Sequence, residues 1–396
     1  MRELEVQRNG HLKLGLSECK ELLQQDLLEL ARAQLKLLIE KALLAERDRY
    51  LELGYYEHAP LSRRDFRNGY YFRDLVTKLG SLCRLRVPRT RKGFSSQLLP
   101  RYQRREQAVN NLILEAFLRG VSTRQVGQVL EPVLGQAYSA QTVSRITRQL
   151  QQAVERFHQR PLQDRYCYLF LDGIVLKVRD LAGPVRRRFV LAAYGVRPNG
   201  QREIIDYRFA HGESELAWLQ FLQGLFLRGL EGKHLQLIVT DGGRGLRAAL
   251  PLVFPNTTVQ LCWAHKMRNI AAKLSRKEGA CLAEASAMYR AASKEQALVA
   301  FRHWRQAWQE RRPRAVACVE RDLDALLSFF AVPAAHWKKV RTTNVIERAF
   351  REVRRRTRPM SSFSNLESCD RIIYGVISHL NRSWERKPLP QFTQHA

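Results

Sequence analysis

Cysteine chemistry has little to work with in this chain. Its seven cysteines (19, 83, 167, 262, 281, 318, 369) are scattered, odd in number and include no C-x-x-C pair. That argues against a disulfide framework and a four-cysteine zinc site, and predicts reduced thiols. Long apolar runs are also missing. None reaches membrane-spanning length, and "MRELEVQRNG" lacks the apolar stretch of a signal peptide. The expected setting is cytoplasmic, associated with the nucleoid and away from the membrane. Acids are the third shortage: 38 Asp and Glu face 67 Lys and Arg, a formal net charge of +29. Such an excess repels itself unless a polyanion is near, so nucleic acid is the expected partner. An anionic membrane surface fits less well, because it favours one basic amphipathic helix over arginine spread along the whole chain. Apolar residues are present in ordinary measure, 45% of 396, enough for two or three domains and at least one sizeable core.

Residues 18–47 carry leucines at three- and four-residue steps among helix formers. This predicts an amphipathic helix for packing or dimerisation within a helical region 1–62. From Arg63 to Arg105 there are 13 Arg and Lys against two acids, Asp65 and Asp74, with Phe66, Tyr70, Tyr71, Phe72, Phe94 and Tyr102 interleaved. Aromatics among cations suit a contact that tracks a nucleic-acid backbone. A solvated basic face is the plainer account. "RLRVPRTRKGF" (84–94) holds a proline, a glycine and the candidate contacts Arg86, Arg89, Arg91 and Lys92, and is expected to be an extended arm or loop.

Residues 106–151 read as helices. Ser122 followed by Gln125 makes a capping-box pattern, a Pro/Gly-bearing break follows, and Ser139 should cap a second helix. That is a helix-turn-helix shape at about 120–150, with Arg124, Thr142, Arg145 and Arg148 as candidate DNA contacts. A mainly α-helical DNA-binding region is thus expected over 63–160.

After "RPLQD" the period changes. Strands are expected at 165–180, 187–200 and 202–212 with a hairpin turn at "RPNG", then a helix at 213–230. A buried strand (235–241), a short helix (243–254) and a fifth strand (258–265) follow. Residues 266–340 read as a helical, basic insertion, and the chain returns through a helix at 341–358 and a C-terminal helical part to 385, ending in a tail over 386–396. Three antiparallel-type strands, then helix, strand, helix and strand, make a mixed five-stranded α/β sheet in the order of the RNase H-like fold.

Three acids stand out. Asp172 sits inside the apolar strand "YLFLDGIVL", where an unpaired carboxylate is expensive; a hydrogen-bonded strand acid is the bland account. Asp241 ends the fourth strand in "TDGG", at the edge where ligands gather in α/β sheets, although aspartate before glycine is also turn chemistry. In the basic helix "RTTNVIERAFREVRRRTRP", Val345, Ile346, Ala349, Phe350 and Val353 form a stripe bordered by two glutamates. Glu352 has Arg348, Arg355 and Arg356 within a turn, so ion pairing accounts for it. Glu347 has Thr343 and Asn344 behind it and only Arg351 ahead, and is the freer carboxylate. Two strand carboxylates and one from a helix packed on the same sheet can converge on a pair of divalent cations, as nucleic-acid phosphoryl transfer requires. Carboxylate oxygens suit Mg²⁺, with Mn²⁺ as a substitute.

"YLFLDGIVLKVR", "IVTDGGRGLRAAL…FP", "QLCWAHKMRNI" and "RTTNVIERAFREVRRRT" together resemble the motif blocks of the Mutator-like DDE transposases, in particular the bacterial insertion-sequence branch. "GxSTRxV…SxxTVSRIT" and "VPRTRKGF" resemble the family's DNA-binding half, so the likeness runs in order from about Arg63 to Asn365. It implies a catalytic and metal-holding triad at Asp172, Asp241 and Glu347, and two Mg²⁺ ions. It places the family's C-x-x-H signature on Cys262 and His265, followed by Arg268 and Asn269. It also implies binding of terminal inverted repeats and target duplex, cutting and joining of strands, and a homodimer or larger. Asn269 and Asn344 would support the site, and Arg268, Arg351, Arg354 and Arg355 would hold DNA. Cys262 and His265 are half of a zinc site with no second pair to complete it; a core cysteine and a hydrogen-bonded histidine near the active site is the other reading. Trp304, Trp308 and Trp337 read as core of the insertion, with base stacking by Trp337 as the sharper alternative. Two rivals remain open, a hydrolytic nuclease of the same fold and a retired transposase acting as a DNA-binding regulator.

Overall fold

Alternation decides the first sheet. In the computed structural model, which describes residues 16–52, 65–100, 102–119, 121, 123–179, 183–275, 278–357, 363 and 365–393 (side chains of 16–24, 356 and 393 aside), the long helix α1 (Leu16–Tyr50) is followed by a β-hairpin. Its strands, β1 (Arg67–Thr77) and β2 (Gly80–Thr90), pair antiparallel through a turn at which Gly80 has φ +112. The segment 84–94 is therefore mostly strand, and the expected arm is corrected to a hairpin. Leu75, Leu85 and Val87 bury in one cluster with Leu43 of α1 and Leu99, which anchors the ribbon to the helix. Pro88 costs little here because a two-stranded sheet has open edges. The first half is thus less helical than its sequence suggests.

Helices α2 (Gln107–Leu118), α3 (Thr123–Leu134) and α4 (Ala140–Thr147) complete the first of two compact units, which takes the described residues through Phe117 together with 121–147. The Thr142 amide donates to Ser139 Oγ at 3.2 Å, the expected cap; Ser122 lies outside the described residues. Gly127 of α3 crosses the turn before α4 so closely that a Cβ there would collide with the Tyr138 carbonyl. α4 stops at Thr147, so Arg148 opens a short 3-10 turn in the second unit rather than extending α4.

The second unit starts with α5 (Gln151–Gln159) and then builds its sheet: β3 (Tyr168–Arg179), β4 (Val185–Val196), β5 (Arg202–Ala210), α6 (Glu215–Leu227), β6 (Leu237–Thr240), α7 (Arg244–Val253) and β7 (Val259–Leu261). The five strands lie in the order β5-β4-β3-β6-β7. β3 is central, antiparallel to β4 and parallel to β6. Its odd-numbered residues Leu169 and Leu171 bury with Trp218, Phe221 and Leu222 of α6 and Leu246 and Leu250 of α7. Its even-numbered residues face the opposite way, and Asp172 is among them.

The fifth strand is shorter than expected. Helix α8 (Trp263–Ala271) begins at once, with Cys262 as its N-cap residue, because the Trp263 amide is taken by the Arg341 carbonyl at 3.0 Å. Helices α9 (Gly279–Arg290), α10 (Lys294–Trp308), α11 (Pro313–Glu320), α12 (Leu323–Leu327) and α13 (Ala334–Val340) form the helical stretch. Trp304 and Trp308 are buried in it, with indole N–H groups on the Cys281 carbonyl (3.0 Å) and Glu284 (2.7 Å). Trp337 donates to the Val332 carbonyl and packs edge-on against Phe329 and Phe330. Helix α14 (Asn344–Thr357) then lays Ile346, Ala349, Phe350 and Val353, all buried, toward the sheet, and α15 (Leu366–Glu385) packs beside it.

Candidate active site

Parallel pairing puts two acids side by side. Leu171 pairs with Thr240 at the end of the β3–β6 ladder, so Asp172 and Asp241 are the next residues on neighbouring strands. Asp172 is buried, and its carboxylate accepts from the Gly173 amide at 2.8 Å. Burial raises its pKa, the Gly173 hydrogen bond opposes that, and repulsion from Asp241 and Glu347 adds to the rise, leaving the group pushed up to about 7. Asp241 Oδ1 accepts from the Gly243 amide at 2.9 Å, beside Gly242 at φ +87. The Asp-Gly turn is thus real, and it also holds the carboxylate at the strand end.

Glu347 enters from the first turn of α14. It is less free than its sequence neighbours suggest: Arg268 of α8 reaches Oε1 at 3.3 Å and His265 Nε2 stands at 3.7 Å. Both partners lie far away in sequence, which is why an i±4 count missed them. Glu352 pairs with Arg355 at 2.9 Å, as its neighbours predict.

Cys262, His265 and Thr343 form the support beneath Glu347. The buried Thr343 donates its amide to Cys262 Sγ at 3.2 Å, and its hydroxyl lies 3.3 Å from that sulfur, 3.4 Å from His265 Nδ1 and 3.5 Å from Glu347 Oε1. Burial pushes the Cys262 thiol up, but hydrogen bonds with His265 and Thr343 outweigh it and hold the pKa below the usual range. Contact with Cys262 in turn raises the pKa of His265. Thr343 is a support that sequence reading registered only as a neutral neighbour. Glu213, just before α6, is another acid it passed over. Its carboxylate lies where a Cβ on Gly173 would have to go, and burial together with Asp241 raises its pKa. The one sequence signal for it was an acid directly after a strand.

The other predicted residues scatter. Asn269 and Asn344 are exposed, and no hydrogen bond joins either side chain to the acids among the described residues. Arg351 and Arg354 are exposed on α14 beside the paired Arg355. In the first unit Arg86 lies over the Tyr70 ring at 4.6 Å, Arg89 over Tyr71 at 4.7 Å and Arg91 over Phe66 at 5.6 Å. Lys92, Arg124 and Arg145 are exposed, and Thr142 is spent partly on its cap.

Among the described residues no three His, Cys, Asp or Glu side chains are gathered into a ready cage for a metal ion. The donor chemistry of the triad nonetheless fits Mg²⁺. All its donor atoms are carboxylate oxygens, and Asp172, lifted first by burial and then by Asp241 and Glu347, is a carboxylate whose charge a dication would compensate.

Two acids on neighbouring strands of a mixed sheet and a third on a helix packed against it define an α/β unit with one acidic site, in a chain of net charge +29. Residues 8–387 match the family described as Transposase, Mutator family, and the chain belongs to it. The transposase for insertion sequence element ISRM5 of Rhizobium meliloti (strain 1021) is 37% identical over 355 residues, covering 89% of this chain and 88% of that protein. The transposase for IS905 of Lactococcus lactis subsp. lactis (strain IL1403) is 32% identical over 360 residues, 90% of each chain. Among solved structures, the Mos1 transposase paired-end complex with left transposon end covers 54% of this chain and 78% of its own at 13% identity, with a TM-score of 0.19. No helix among the described residues is long and apolar enough to cross a membrane.

Proposed function

We propose that this chain is a DDE-type DNA transposase whose catalytic residues are Asp172, Asp241 and Glu347 on an RNase H-like core. The observation that carries the reading is geometric: the β3–β6 register sets Asp172 and Asp241 side by side, and α14, packed on β3, carries Glu347. Strand order supports the fold: numbered from β3, the sheet runs 3-2-1-4-5. Asp172, Asp241 and Glu347 would hold two Mg²⁺ ions, which when bound supply an activated nucleophilic oxygen and stabilise the leaving oxygen. Arg268 keeps Glu347 from drifting toward bulk water, while Thr343 and His265 fix the rotamer from behind. Water attacks first and the freed 3′-hydroxyl second, with no covalent protein–DNA intermediate.

The helix pair α3–α4 is read as a helix-turn-helix that meets the terminal repeats, with Arg124 and Arg145 exposed for contact. A second copy of the chain is expected to cover α1, where Leu27, Leu30 and Leu38 are each more than half exposed.

The test uses a labelled duplex carrying the element end, with Mg²⁺ or EDTA, and wild type against Asp172→Asn. Expected are cut and joined products in Mg²⁺ alone, absent from the variant, with DNA binding retained. Products that are cut and never joined would make the protein a nuclease. Equal activity in Asp172→Asn would remove the triad.

A further inference from the structure

Helices α8 and α14 each serve two places. His265 and Glu347 turn toward the acids, while Trp263, Val345 and Arg348 line a separate cavity of about 400 Å³. Its aromatic wall is Tyr289 of α9, backed by the buried Trp263 ring at 5.2 Å between centroids. The Arg341 guanidinium lies 5.0 Å from the Tyr289 centroid and donates to the Tyr289 carbonyl at 2.5 Å, so the planar pair is held in place. Lys338, Lys339 and Arg348 also line the cavity, and no acid does. None of these three cations makes an ion pair among the described residues. Partial burial and repulsion from Arg348, Arg202 and Lys338 hold the Lys339 ammonium below its usual range. Like charges crowded at a cavity with no counter-charge are a standing cost that an anion removes. The volume is that of a small-ligand site, and π surfaces beside cations suit a base attached to a phosphate.

We propose that this cavity is a nucleotide site that takes one unpaired nucleotide of the DNA strand, its phosphate on Lys338, Lys339 and Arg348 and its base against the Arg341–Tyr289 pair. It rests on the reading of the chain as a DNA transposase and adds a pocket that works beside the acids rather than with them. The strand leaving the cleaved phosphate would be anchored here, one helix face away from Glu347.

The experiment uses the full chain and an element-end duplex from which one base at a time is removed around the cleavage point. Affinity is measured for wild type, Tyr289→Leu, Tyr289→Phe and Lys339→Gln, with the exposed Arg302→Gln as a control of equal charge. At one position, loss of the base should weaken wild type roughly tenfold and leave Tyr289→Leu unchanged, with Tyr289→Phe behaving as wild type. Lys339→Gln should lose several times more affinity than Arg302→Gln. Additive effects of base removal and Tyr289→Leu at every position, or equal losses in the two charge variants, would overturn the site. Deoxyadenosine monophosphate alone separates the two sources of nucleotide: tight binding that the duplex does not displace would overturn assignment to a DNA strand, and weak, duplex-displaced binding supports it. Asp172→Asn is expected to keep the base-removal effect while losing cleavage. If it cuts normally and keeps that effect, the triad fails and the pocket stands.

Discussion

Glu347 and Glu352 lie on one helix five positions apart, and their partners separate them. Glu352 is matched by an arginine on its own helix, whereas Glu347 is reached across space by Arg268 and His265 and repels Asp172. Glu347→Gln is accordingly expected to lower strand cutting and joining by more than about 100-fold with end binding retained, and Glu352→Gln to stay within a few-fold. A strand-transfer assay paired with a gel shift checks both. The reverse ranking would move the helix acid to Glu352. Glu213→Gln should cost roughly tenfold and raise the Mg²⁺ concentration needed for cutting, because Glu213 shapes the ground around Asp241. Unchanged Mg²⁺ dependence would leave it as packing over Gly173. The apolar stripe of α14 could not choose between the two glutamates, since both border it.

Two buried ionic clusters hold elements together. Asp322, next to α12, receives Lys266 of α8 at 2.5 Å and Arg247 of α7 at 2.8 Å. Burial alone would raise its pKa; the hydrogen bonds from Lys266 and Arg247 win and bring it to about 2. Asp322→Ala strands the buried Lys266 and is expected to cost about 3–5 kcal/mol in urea unfolding, far more than removing an exposed pair. The second cluster ties α5 to β5 and α15: His158 meets Asp206 at 2.7 Å and Asp370 at 3.3 Å. Burial lowers the His158 pKa, but the two carboxylates more than offset it and hold it at about 9. A folded pKa raised above the ordinary value of about 6.5 gives stability that is complete below that pH and is lost as pH rises through about 9. Thermal melts should therefore show Tm falling between those values, and His158→Gln should flatten the fall. A pH-independent Tm in wild type would mean that the imidazole does not hold its proton.

At the scale of the molecule, charge and apolar surface set the expectations. With a net +29 and exposed arginines in both units, affinity for duplex ends should drop steeply with salt, by about 10³ or more between roughly 50 and 200 mM. A flat dependence in filter binding would deny phosphate contacts by the hairpin arginines. The exposed leucines of α1 are where the proposed second copy would pack. Leu38, 62% exposed, replaced as Leu38→Glu should shift the protein toward monomer in light scattering and remove any dependence of Tm on protein concentration. An unaltered oligomer would send the search to another face.

Sequence alone carried the parts that depend on local pattern and charge. An aspartate in an apolar strand, an aspartate before paired glycines, a helix with one apolar stripe and an excess of arginine follow from period, burial cost and Coulomb repulsion, and each can be read from a few neighbouring residues. The five strands and their succession with the helices along the chain were legible for the same reason, although the last two are shorter than their apolar runs. Packing between distant segments decided the rest. The hairpin at 67–90 exists because Leu75, Leu85 and Val87 find Leu43, which no turn signal announced. Helix α8 begins two residues after β7 because the Arg341 carbonyl claims the Trp263 amide. The same long-range meeting gives Glu347 its partners, places Thr343 on Cys262 and leaves a cationic cavity beside α14. Partners 79 and 81 residues apart have no period to betray them; only the folded chain brings them within reach.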